Sequence, residues 1–257
     1  MDQEILKLRR LNIWAGLLHL TSFVAILFLA NKFALPVWAT YLTEAPGTGN
    51  FSAPVALFNI NISVMIAIFL GLSAFFHFLI SSPQFFSKYA AGLQARHNTF
   101  RWVEYSLSSS VMIVVIMQLN GVTDYIALIG MFGVNASMIL FGWLQERYTK
   151  PGDGDMLPFI FGCIAGGIPW LVIAINTASI KGPTESVVPT FVYGIVISLF
   201  LLFNCFALVQ YKQYKAKGKW VNYLRGERVY IVLSLIAKSA LAWQIFAGAL
   251  AGTAAGS

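Results

Sequence analysis

Long apolar runs alternate with short polar stretches along the whole chain, and the polar residues gather between the runs rather than at a helical period within them. Seven runs approach or exceed the roughly 20 residues that a spanning helix needs. They are Leu11–Ala30, Pro54–Ile80, Asn98–Leu119, Tyr125–Glu146, Leu157–Ile180, Val187–Tyr211 and Asn222–Leu250. The first follows Lys7, Arg9 and Arg10, as a signal peptide would. Its apolar part is too long and lacks a small-residue cleavage site, so it reads as a membrane helix. Between the first two spans, residues 31–53 hold Val37, Trp38, Thr40 and Tyr41 and then Pro46-Gly47, a pattern for a turn with short strands.

Composition sharpens this picture. Of 257 residues, 58% are hydrophobic and 11% charged, against about 25% charged in soluble domains. A water-soluble globule, a disordered chain and a nucleic-acid-binding protein are excluded, despite a net charge of +7. The seven spans leave no room for a separate soluble domain. The fold class is all-α, a seven-transmembrane-helix bundle forming a single domain over residues 1–257. Cys163 and Cys205 lie inside apolar runs and read as free thiols, and no metal site is expected.

The basic residues explain the net charge. Lys7, Arg9, Arg10, Lys88, Arg96, Arg101, Arg147, Lys150, Lys212, Lys215, Lys217, Lys219, Arg225 and Arg228 fall on one side, and only Lys32 and Lys181 on the other. Such asymmetry places the N-terminus in the cytoplasm and the C-terminus outside. The cluster from Lys212 to Lys219 then faces the anionic head groups of the bilayer, and residues 31–53 form an extracellular loop that covers the outer face or helps a dimer form.

Two ionisable residues lie within spans, where charge is expensive. Lys238 is midway along the seventh span and Glu104 is in the third. One reading is a structural ion pair. The other uses lysine chemistry, since a buried lysine is a nucleophilic amine able to condense with an aldehyde, and the cationic imine still needs a carboxylate counter-ion. Glu104 is three residues past Arg101 and Lys238 ten past Arg228, depths of about 4–5 Å and 15 Å. The mismatch closes if Arg101 is itself buried, with Glu227 as its partner. The alternative is an Arg101–Glu104 pair three residues apart on one helix.

Other polar residues share the cytoplasmic half with Glu104. His19 and His77 are candidates for a hydrated cluster able to hold a proton. Ser234, one turn before Lys238, can hydrogen-bond the amine or Glu104, and Ser108 is one turn from Glu104. Candidates for an apolar slot are Trp102, Tyr105, Met112, Asn135, Met138, Gly142, Pro169, Trp170, Phe203 and Trp243. No second carboxylate follows Glu104 in its span, and the external half is almost free of ionisable groups.

At these residues the chain resembles the heliorhodopsins. The resemblance rests on GLSAFFH at 71–77, FRWVEYSLSSSVM at 100–112, FGVNASMILFGW at 132–143, YLRGER at 223–228 and SLIAKSALAWQ at 234–244. It implies all-trans retinal bound as a Schiff base to Lys238, Glu104 as counter-ion, His19 and His77 in a cytoplasmic polar cluster, a homodimer, and an orientation inverted relative to microbial pumps. The function expected is light sensing without net ion pumping, read out by an unidentified cytoplasmic partner. The alternative is a light-driven or light-gated proton transporter. Enzymatic activity is not expected, because no nucleophile–base set is visible.

Overall fold

The computed structural model describes residues 3–179 and 190–250. Its helices are α1 (Gln3–Phe28), α2 (Ile62–Ser81), α3 (Pro83–Gln94), α4 (Thr99–Leu119), α5 (Tyr125–Tyr148), α6 (Leu157–Ser179), α7 (Thr190–Lys215) and α8 (Tyr223–Ile245), with strands β1 (Ala34–Ala39) and β2 (Val55–Asn61) between α1 and α2. All but α3 are long and apolar enough to cross a membrane, seven in total among the described residues. Ile180, Val187, Val188 and Pro189, at the ends of the fifth and sixth predicted spans, lie outside the described residues, as do Lys181 and the tail from Ala251.

The predicted second span is corrected at its start. Pro54–Ile80 is not one helix, because its first third pairs as β2 with β1 in an antiparallel hairpin, with an irregularity at Val37/Trp38. The break falls at Asn61, whose side chain accepts from the Val64 amide at 3.1 Å and caps α2. A short apolar run such as residues 55–60 reads the same by hydropathy whether it is strand or helix. The hairpin is tied to the bundle by the Trp38 amide, which donates to the Thr123 carbonyl at 2.9 Å.

α3 is the second departure. The polar residues of Pro83–Gln94 read as a connection, yet Pro83 sits in the first turn, where proline fits, and Phe86, Tyr89, Ala90 and Leu93 share a buried face. That face packs with Ile5, Leu8 and Tyr223, closing the bundle end opposite the hairpin. The N-terminus and the α2–α4, α5–α6 and α7–α8 connections share this end.

Helix α4 runs through the middle, with 72% of its most apolar window buried against 17% for α5 and α6. Outward residues such as Ile129, Ile164 and Leu171 are large, apolar and exposed, as a lipid-facing surface requires. On the hairpin side the core is apolar, built from Ile66, Phe69, Ile113, Ile116, Leu241 and Ile245. Below it lies a buried polar layer that includes Asn12, His19, Ser73, Glu104 and Lys238.

Candidate functional site

The two intruding charges meet. Lys238 Nζ donates to Glu104 Oε1 at 2.5 Å, joining α8 to α4, and both side chains are buried. The depth mismatch closes because Arg101 is buried rather than lying at the membrane edge, and α4 begins below it at an Asn98 cap. A third member comes from α2. The Ser73 hydroxyl accepts from Lys238 Nζ at 2.6 Å and donates to Glu104 Oε1 at 2.7 Å. Ser234 and Ser108 line the neighbouring cavity, but it is Ser73 that bonds both partners.

Arg101 does not pair with Glu104. Its guanidinium donates to Glu146 Oε2 at 2.9 Å and forms an ion pair with Glu227. It packs against the rings of both Trp102 and Tyr230, at 4.5 and 4.2 Å from their centroids. Asn98 extends the network, its backbone amide donating to Glu146 at 3.1 Å and its side chain to Glu227 at 2.8 Å. The Trp102 indole and the Tyr223 hydroxyl also donate to Glu146. Sequence reasoning missed Glu146, which stands in the last turn of a span beside Arg147 and reads as interfacial. It also missed Ser73, because a lone serine in an apolar helix is usually packing.

His19 and His77 come together on a third side of the pair. Their rings stack at 5.6 Å, and His77 Nδ1 is 2.7 Å from Asn12 Oδ1. Asn12 Nδ2 donates to the Tyr89 hydroxyl at 3.1 Å. Burial pushes that phenol up to about 12, so it stays a neutral hydroxyl. His19 is fully buried with neither ring nitrogen hydrogen-bonded. A cavity of about 30 Å³ brings Asn12, His77, Tyr89, Arg101, Glu104 and Glu227 to one space, above the roughly 10–15 Å³ needed to hold a water.

A larger cavity of about 450 Å³ opens on the other face of the pair. Of the predicted slot residues, Trp102, Tyr105, Met112, Met138, Gly142, Trp170, Phe203, Ser234 and Lys238 line it. Asn135 stands one layer behind, donating to the hydroxyls of Ser109 and Ser110 at 2.8 and 3.1 Å. Pro169 lies within α6 beside Trp170 without lining the cavity. Trp243 does not face it either, being 38% exposed and packed against Phe246. Five residues after Lys238 is about 140° around a helix, which turns it away. Phe206, Gln210 and Tyr230 are among its other lining residues.

Comparison with known proteins bears on this arrangement. The heliorhodopsin family model matches residues 8–250. The chain belongs to the heliorhodopsin family. No curated protein matches its sequence. Among solved structures, this heliorhodopsin is similar to cyanorhodopsin from the cyanobacterium Tolypothrix sp., with TM-score 0.65 and 12% identity over 97% of this chain and 96% of that one. It is also similar to a light-driven proton pump from Leptosphaeria maculans, with TM-score 0.60 and 12% identity over 94% of each chain. The shared element is the microbial-rhodopsin fold, and the protein is a multi-pass membrane protein.

The family implies a retinal chromophore, and the residues of this heliorhodopsin fit one. The cavity falls within the roughly 300–1,000 Å³ of small-molecule sites, its walls are mainly aromatic and aliphatic, and Lys238 supplies the only amine among its lining residues.

Proposed function

We propose that this heliorhodopsin is a light sensor that holds all-trans retinal on Lys238. The observation that carries the reading is the buried amine at the wall of an apolar cavity, bonded to one carboxylate and one hydroxyl. Lys238 would hold retinal covalently through Nζ, the aldehyde oxygen leaving as water and the nitrogen keeping one positive charge, and the bound polyene would supply visible absorption and isomerisation. Glu104 balances the positive charge where the surrounding medium cannot. Ser73 holds Glu104 Oε1 towards Lys238 Nζ, so charge and hydrogen bond share one axis. A proton leaving Nζ has Glu104 as its first acceptor, and the small cavity offers His77 and Asn12 as the next polar groups.

The sensor reading is supported over a pump by what lies beyond the pair. Among the described residues, no Asp, Glu, Lys, Arg or His occupies the spanning helices between the pair and their hairpin ends. A proton released towards His77 has no titratable chain to the opposite face. The basic loops support an N-terminus in the cytoplasm of a cell-membrane protein, with the polar layer facing inward towards an unidentified signalling partner. Exposed Phe51 and Phe58 on the hairpin support a homodimer contact outside. The second reading, a light-driven or light-gated proton transporter, is favoured only by the small polar cavity, and photocurrents from voltage-clamped membranes decide for it.

The test is reconstitution. Retinal-free protein mixed with all-trans retinal gains a visible band, hydroxylamine removes it, and Lys238→Ala never shows it. Mass spectrometry finds Lys238 carrying the polyene. Coloured protein with Lys238 unmodified overturns the reading.

A further inference from the structure

Two rings, Trp102 and Tyr230, stand between the large cavity and the carboxylate network, and they are not equivalent. Both line the cavity and both lie against Arg101. The Tyr230 hydroxyl has no hydrogen-bond partner, whereas the Trp102 indole N–H donates to Glu146. Glu146 in turn holds three helix ends. It stands in the last two turns of α5, accepts from the Asn98 amide that caps α4, and accepts from Tyr223, the first residue of α8. All three ends lie on the side of the molecule away from the hairpin.

The indole is also clamped along its far edge. A Cβ at Gly142 would stand 2.6 Å from Trp102 Cζ3, so the α5 backbone already touches the six-membered ring. A push from the cavity therefore cannot be absorbed by the ring sliding towards α5. It turns the indole, and the atom that moves against a fixed partner is Nε1. Glu146 carries four donors, from α4, its cap residue Asn98 and α8, so losing one redistributes the others.

We propose that Trp102 is the positioning residue that couples the shape of the retinal cavity to the helix ends through its N–H bond to Glu146. A change of shape in the cavity lengthens that bond, and Glu146 loosens its hold on α4 and α8. This rests on the photosensor reading and adds the route by which the inner face learns of light.

The test separates the indole N–H from the ring. In nitrogen-labelled protein without retinal, the Trp102 indole resonance, assigned by its loss in Trp102→Phe, shifts in Glu146→Gln. With retinal bound, light-minus-dark infrared spectra show a carboxyl change that Glu146→Gln removes. Spin labels at exposed positions 150 and 219, in a background free of Cys163 and Cys205, report a light-induced distance change. Because Trp102 lines the cavity its replacement is free to move the visible band, but Trp102→Phe, or a benzothiophene isostere of tryptophan at this position should Trp102→Phe fail to take up retinal, loses the Glu146 change and the distance change while still forming a band. Either signal persisting at full amplitude without the N–H overturns the coupling, as does wild type showing retinal bands with no Glu146 change. Absence of any visible band in wild type is a different failure, that of the photosensor reading itself.

Discussion

The two halves of the bundle are built on opposite principles. Towards the hairpin, the helices meet through Ile66, Phe69, Ile113, Ile116, Leu241 and Ile245, with no Asp, Glu, Lys, Arg or His among the described spanning residues. Towards the other end, Arg101, Glu104, Glu146, Glu227 and Lys238 are all buried, with His19 beside them. Lipid is as apolar as leucine, so the hairpin half gains little from burial and is held by close packing. Small changes there find many near-equivalent arrangements. In the polar half each charge has few partners and no water to replace a lost one, so single substitutions act strongly. The division also separates functions, since one half seals the membrane while the other has groups able to hold and move a proton.

The sharpest way to break the comparison is Arg101→Met. It leaves Glu146 and Glu227 facing each other without their shared cation, and removing one partner of a buried pair costs about 3–5 kcal/mol. Ile113→Val in the other half is expected to cost only about 0.5–1.5 kcal/mol. Unfolding both variants in denaturing detergent checks the difference, and equal losses would show that the halves are not built differently. Glu104→Gln comes next. It removes the charge opposite Lys238, and an amide cannot balance a cation in low dielectric. With retinal bound, the visible band moves to longer wavelength or is replaced by near-ultraviolet absorption at neutral pH. An unchanged spectrum would remove Glu104 from its role. Gly142→Ala probes the boundary between cavity and network. The added methyl meets the Trp102 ring, and such overpacking costs about 1–3 kcal/mol. Thermal bleaching at a lower temperature than wild type is the expected result.

Most of this division is legible in the residues. A lysine and a glutamate in otherwise apolar spans mark the polar half because nothing else there tolerates charge, and the burial of Arg101 follows from the depth mismatch between them. The hairpin is harder to read, because Val55–Asn61 is apolar enough to extend a helix and only the Asn61 cap ends it. α3 hides for the opposite reason, since its polar face dilutes a buried one. Glu146 and Ser73 are illegible one residue at a time. Their roles exist only once α5 and α2 stand beside α4, and sequence spacing carries no information on which helices are neighbours.

The smallest expected effect is also the finest test of the polar half. Ser73 differs from Ser108 and Ser234 in making two bonds at once, accepting from Lys238 and donating to Glu104. Ser73→Ala removes about 1 kcal/mol of net hydrogen bonding and leaves the ion pair standing. The lost donor also leaves Glu104 with one fewer hydrogen bond on the oxygen that faces Lys238, so its negative charge is less spread. A more localised counter-charge stabilises the cationic ground state of the bound chromophore more strongly, and the visible band moves to shorter wavelength. Ser108→Ala changes a hydroxyl with no partner in the described structure, so its shift is smaller. If the two alanine variants shift the band equally, proximity to the cavity alone explains the effect, and the hydrogen bond from α2 has no separate part in tuning it.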